Sequence, residues 1–303
     1  MQQFHFRQYL IIVISFFIWI LPCCNPQQTA ENKKIISRAE MDSFRLSAVN
    51  KYPEYDDVIR ILSLLKDLDL IYAHQLVNSI DNIDKYSGND LLLAANIGVF
   101  MTDIGYMWSY EKIHEAINHN IIVFALAEEL GMNSDYIESF FDRYSKQDAN
   151  PDSILYLLDK DLGDAINQFP SDKRHEYYSA MLTGSFIEKL YYIYVLIEQC
   201  PELSNPDYLS QENIQRLIWV AEGQVKALDD LNKQIETSDI PKEQMFYHEE
   251  LCRLDSIMKQ SAFLNDSVIE NDFSISADSG FINVYNEISR IRNLIINPGA
   301  PAL

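Results

Sequence analysis

Residues that break regular structure are scarce in this chain. Of 303 residues only 9 are Gly and 10 are Pro, which excludes collagenous and Gly/Pro-rich disordered classes. Four cysteines are too few for a small disulfide framework. Positive charge is also short: 24 Lys and Arg stand against 45 Asp and Glu, a formal net charge of −21. A body this acidic is repelled by phosphate backbones and anionic lipid faces, which argues against nucleic-acid binding. Missing too are a Gly-x-Ser-x-Gly elbow, a P-loop and a dinucleotide glycine fingerprint. What remains is 48% hydrophobic and 12% aromatic, enough to build a large core.

The N-terminus stands apart from that body. Arg7 is the only formal charge before an apolar run from Tyr9 to Leu21, which Pro22, Cys23 and Cys24 close. Thirteen helical residues span about 20 Å, short of the roughly 30 Å hydrocarbon core. That length fits the apolar region of a secretory signal better than a transmembrane helix. Leu21-Pro22-Cys23-Cys24 resembles the lipobox of bacterial lipoproteins, with Leu three before the lipidated Cys and a small residue directly before it. By that resemblance Cys24 is the lipidation site, and residues 1–23 are a lipoprotein signal peptide. A plain signal peptide and an uncleaved anchor are the alternatives. Residues 24–34 are polar without apolar periodicity and read as a lipidated tether. No acidic cluster follows Cys24 directly; the resemblance to bacterial lipoproteins then implies a periplasm-facing position rather than surface display.

Beyond residue 35 apolar residues recur at helical spacing and strand-like alternation is scarce. Val58, Ile61, Leu62 and Leu65 form one stripe, and Ala73–Ile80 reads as a short helix. Leu91–Leu130 reads as two helices or one kinked helix, stopped by Gly131. Asn133 or Ser134 can cap Asp135–Lys146, and Ser153–Phe169 follows. The spacing then predicts Asp172–Gln199 closed by Pro201, Ser210–Thr237, Pro241–Phe263 and, after a polar break at Asn265–Ser276, Asp278–Ile296. The fold class is all-α, a single domain over 35–303 with about nine or ten helices. A weak internal echo places Gly98, Phe100 and Tyr106 at the same spacing as Gly184, Phe186 and Tyr192, each glycine suiting a close helix approach.

Candidate chemistry is sparse. His114 and His119 are five apart, which turns them roughly 140° from each other on a helix, whereas a zinc-binding pair needs one full turn. His175-Glu176 and His248-Glu249-Glu250 show no metal-ligand partner in the sequence, so no metal and no cofactor are expected. Asp103 lies with Val99, Tyr106, Tyr110, Ile113, Ile117, Ile121 and Phe124 on one face if that helix is continuous. Glu188 sits amid Phe186, Leu190 and Tyr191. An acid on an apolar face must be paired, hydrogen-bonded or protonated. It is either architectural or a perturbed acid in a pocket, and two such acids meeting could do acid–base chemistry. Dense aromatics, including Trp108, Tyr177, Tyr178 and Tyr194, either pack a bundle or line a ligand groove. Cys200 and Cys252 could pair in an oxidising compartment, but sequence does not place them within reach.

Three segments carry a family resemblance. Asp84–Ser87 with Leu91–Tyr106 (DKYS, LLLAANIGVFMTDIGY), Leu126–Gly131 (LAEELG) and Thr183–Tyr191 (TGSFIEKLY) resemble stretches of uncharacterised all-helical lipoproteins of Bacteroidota. Those read approximately KYT…KALNLGVYGADLAY, KKLADELGI and GGWIEGLY. The matching segments fall within about Val58–Gln199. Tyr55-Asp56-Asp57 replaces the family's Pro-Ser-Pro, Met101-Thr102 its Gly-Ala, and Phe186 its Trp. The resemblance implies an all-α lipoprotein with Asp103 and Glu188 at matched positions, and no activity.

The expectation is therefore a non-enzymatic lipoprotein of the bacterial cell envelope. It would be held on a membrane through its N-terminal lipid and serve a protein partner or a scaffold. The alternative is a periplasmic small-molecule or glycan binder with a pocket at Asp103, Tyr106, Trp108, Tyr110 and Glu188. A hydrolase using the acid pair is the third reading.

Overall fold

The computed structural model describes residues 72–133, 135, 139, 167–203, 211–237, 247–261 and 278–299. All lie within one compact unit, Met41–Leu303. The signal segment with Cys24, the tether, the Val58–Leu65 stripe, the Ser153–Phe169 helix up to residue 166 and the Asn265–Ser276 break lie outside them.

The described residues are all-helical, without strands. Six α-helices run Asp90–Ser109 (α1), Ile113–Glu129 (α2), Arg174–Leu203 (α3), Gln211–Thr237 (α4), His248–Gln260 (α5) and Ser279–Ile296 (α6). Two 3-10 helices, His74–Leu76 and Ile80–Lys85, precede α1. Their starts carry the expected chemistry. Asn89 accepts from the Leu92 N–H at α1 and Asp278 from the Phe281 N–H at α6, each satisfying a donor that a helix leaves orphaned. The Asn133 side chain accepts from the Asp135 N–H in the same way.

α1 and α3 make the centre. α1 is buried on nearly all sides, from Leu92 to Trp108, because its apolar residues encircle it. Both α1 and Arg174–Glu198 are long and apolar enough to cross a membrane, yet 83% of each such window is buried inside the fold. The two helices touch through their glycines. A Cβ on Gly98 would stand 1.9 Å from the Met181 carbonyl oxygen, and one on Gly184 would stand 1.9 Å from that of Ala95. Four residues above Gly98, the Thr102 and Ser185 hydroxyls lie 2.9 Å apart. Eight residues beyond each glycine, the Tyr106 and Tyr192 rings meet at a tilt, centroids 4.5 Å apart. Contacts therefore rise together along both helices, so they run parallel; of the echo seen in sequence, the glycines mark the close approach and Tyr106 meets Tyr192, while Phe100 lies against His119 of α2. α2 packs on α1, α6 on both α1 and α3, α4 on α3, and α5 joins α4 to α6.

Several expectations need correction. Ala73–Ile80 is not one helix: Val77 is extended and two 3-10 helices flank it, because its backbone is bound by distant side chains, as set out below. Leu91–Leu130 needs none: it is two helices, one of the two readings the spacing allowed. Glu111, at φ 59°, breaks them, with its N–H on Trp108 O and the Lys112 N–H on Met107 O, a Schellman motif. The proposed continuous face from Val99 to Phe124 is therefore divided between α1 and α2, and the buried face of α2 is Ala116, His119, Asn120, Val123, Phe124, Leu126 and Ala127. Gly131, at φ 84°, does close α2 by the same motif. α3 runs two residues past Pro201 to Leu203. A proline lacks one N–H but does not itself end a last turn, where boundaries shift by a residue or two. α5 starts at His248, after Tyr247 in the left-handed region, and stops at Gln260 where Ser261 turns extended; the 241–246 part of the expected helix lies outside the described residues.

Candidate functional site

The candidate residues meet at one buried polar network between α1, α3 and α6. Asp103 comes from α1, one turn before Tyr106 and Met107, on the side facing α3 and the 72–79 segment. Its carboxylate is fully buried. Oδ1 accepts from the Tyr192 hydroxyl at 2.7 Å, and Oδ2 accepts from the Asn78 backbone N–H at 3.1 Å. Burial, and after it the charge of Glu188, push the Asp103 carboxyl well above the usual range, with Arg292, Tyr192 and the Asn78 N–H pulling the other way. Burial and then the Asp103 charge push the Tyr192 phenol up in turn.

Glu188 comes from α3 and is equally buried. The Arg292 guanidinium of α6 grips it with two bonds, Nε to Oε2 at 2.6 Å and Nη2 to Oε1 at 2.7 Å. The same Nη2 donates to the Leu76 carbonyl at 2.9 Å, and the guanidinium lies 4.1 Å over the Tyr191 ring. Burial alone would lower the Arg292 pKa, but the charge and hydrogen bonds of Glu188 raise it above its ordinary value.

The 72–79 segment is the common thread. The Ala73 N–H donates to the Tyr106 hydroxyl at 3.0 Å. Leu76 O is held by Arg292 and the Asn78 N–H by Asp103. Asn78 O lies 3.2 Å from His119 Nε2, while His119 Nδ1 lies 3.0 Å from Glu115 O. Burial pushes His119 down despite those two carbonyls. The Asn78 side chain donates to the Tyr86 hydroxyl, which donates to Ile296 O. Buried backbone groups must find partners, and here side chains of α1, α2 and α6 supply them. That is why the segment does not coil into the helix its apolar spacing suggests.

Of the expected pocket residues, Asp103, Tyr106, Trp108 and Glu188 are buried, and Tyr110 is half-buried. Tyr106 lies between Tyr72, stacked at 5.4 Å, and Tyr192, tilted at 4.5 Å, with Tyr110 edge-on at 5.0 Å. The aromatic platform is thus directed inward. The structure brings Asp103 and Glu188 close enough for the charge of one to act on the other, a meeting that sequence did not show. What sequence reasoning missed is Arg292 as the partner of Glu188, Tyr192 and Asn78 as those of Asp103, and Tyr86 and His119 as the groups that hold Asn78. Arg292 had a signal: it interrupts the apolar face Phe281, Val284, Ile288, Ile291 and Ile295. His114 is exposed and His119 buried, so that pair diverges as its spacing predicts. His175 is exposed. Cys252 carries a free thiol.

No protein-family model, curated protein or solved structure matches this chain.

Proposed function

We propose that this protein is a non-enzymatic envelope lipoprotein, lipidated at Cys24 and held on a membrane, that binds a protein partner or serves as a scaffold. The observation that carries the reading is how the two buried acids are used. Both Glu188 oxygens are occupied by Arg292, and both Asp103 oxygens by Tyr192 and the Asn78 N–H. A general acid or base must reach a substrate proton within hydrogen-bond distance. These carboxylates instead reach the backbone and side chains that close the core, the arrangement of architectural acids. The inward placement of Tyr106 between the Tyr72 and Tyr192 rings likewise favours packing over a sugar platform.

Three measurements test it together. Metabolic lipid labelling of the wild type and Cys24→Ala should show a label only in the wild type; persistence of the label in the variant would remove Cys24 from the assignment. A thermal-shift screen of sugars, peptides, nucleotides and lipids should be flat for this body, while crosslinking in the native envelope captures a partner protein. A saturable shift that disappears in Asp103→Asn, with the variant as stable as the wild type, would replace the scaffold with a ligand pocket.

A further inference from the structure

Away from the buried network, three side chains of different chemistry converge where α4 ends and α5 begins. His248 and Cys252 are four apart on α5, one turn, and so share a face. Glu236 lies in the last turn of α4, the helix packed against α5. The Cys252 Sγ is 3.5 Å from His248 Nε2, which is 3.6 Å from Glu236 Oε1. All three ligand atoms lie within 4.8 Å of one another. Zinc takes thiolate at about 2.3 Å and imidazole or carboxylate at about 2.0–2.2 Å, so tetrahedral ligands stand roughly 3.3–3.7 Å apart. Two of the three separations already have that value, and the third closes by movement of Glu236, whose side chain is 57% exposed.

The donor set selects the ion. One sulfur, one imidazole nitrogen and one carboxylate oxygen suit Zn2+ or Co2+, whereas Mg2+ and Ca2+ take oxygen. Burial, and after it the charges of Glu236, Asp255 and Glu249, push the Cys252 thiol up. Metal binding there displaces a proton. His248 is largely shielded and Glu236 open, which gives an ion a solvent-side approach.

We propose that Glu236, His248 and Cys252 bind one divalent transition metal of the zinc class, joining the end of α4 to the start of α5 with a fourth position left for water. The site is independent of the reading given for the buried acids.

The test uses the full chain in detergent, stripped with a chelator and titrated with Co2+. One equivalent should generate a thiolate-to-cobalt charge-transfer absorption in the near ultraviolet, with visible bands of tetrahedral cobalt, and Zn2+ should erase both. Cys252→Ser should abolish the charge-transfer band, and Cys200→Ser should leave it intact. Loss of an outer-shell partner already costs about ten- to a hundredfold in metal affinity, so Glu236→Ala should weaken binding at least that much. Circular dichroism of each variant should match the wild type, because none of the three side chains belongs to the buried core. Absence of the band in the folded wild type, or its persistence in Cys252→Ser, overturns the proposal. A band lost in Cys200→Ser overturns it as well, by placing the metal elsewhere.

Discussion

Arg292 carries two jobs with one guanidinium, neutralising Glu188 and holding the Leu76 carbonyl. Removing one member of a buried ion pair leaves a bare charge, whereas replacing both by apolar residues is often neutral. Arg292→Met should therefore cost about 3–5 kcal/mol in urea unfolding, and adding Glu188→Leu should restore most of it. If the single and double variants are equally unstable, the pair is not what Arg292 provides. Asp103 makes a different prediction, because burial raises its pKa. Between about pH 4, where the unfolded carboxyl titrates, and its higher folded value, the folded protein holds a proton that the unfolded chain has released. Its contribution is complete below pH 4 and declines as pH rises, by up to about 1.4 kcal/mol per pH unit. Asp103→Asn keeps an acceptor for the Asn78 N–H and a polar group for Tyr192, so unfolding across pH 4–8 should lose that part of the slope. These residue-level facts were half legible. Asp103 and Glu188 stood out as acids on apolar faces, and Arg292 interrupts the α6 stripe in the same way. Their pairing was not, since Glu188 and Arg292 are 104 residues apart in the chain.

At the scale of elements, local signals read well wherever partners are local. Gly131 and Asp278 mark a helix end and a helix start with residues suited to each, and both work as expected. The two 3-10 helices before α1 read poorly, because their backbone partners arrive from α1, α2 and α6. Glu111 shows the same motif as Gly131 built with an unsuited residue. Glu111→Gly relieves the left-handed cost of about 1–2 kcal/mol and adds about 0.5–1 of chain entropy, a net gain of about 0.5 kcal/mol in thermal unfolding. Gly131→Ala should lose about 1 kcal/mol, since it meets both that cost and a 3.3 Å approach to the Pro170 ring. Gly98 and Gly184 are stricter. Each faces backbone rather than a side chain, so neither neighbour can swing aside. Gly98→Ala or Gly184→Ala must separate α1 from α3, costing about 3 kcal/mol or more in denaturant unfolding. A loss below about 1 kcal/mol would mean that the crossing yields easily.

Across the whole molecule, the all-α class follows from periodicity and from few breakers, while the architecture follows from contacts that sequence does not print. α1 and α3 lie parallel, which needs a long crossover, and α6 is inserted against both. Its Asn96 link shows the reach: the Asn96 side-chain amide donates to Leu92 O on its own helix and to Ile295 O near the other end of the chain. A chain cut before Asp278 should lose the cooperative unfolding transition altogether, as read by circular dichroism against temperature. Retention of a sharp transition would show that α1–α5 suffice.

The link from Arg292 to Leu76 spans 216 residues, and its consequence concerns timing. A polypeptide made from its N-terminus has α1 and α3 long before α6, so for most of synthesis Glu188 has no counter-ion and Leu76 no donor. Packing the first helices tightly is unfavourable until the closing segment arrives. These two contacts, and the packing that depends on them, form only when the chain is nearly whole.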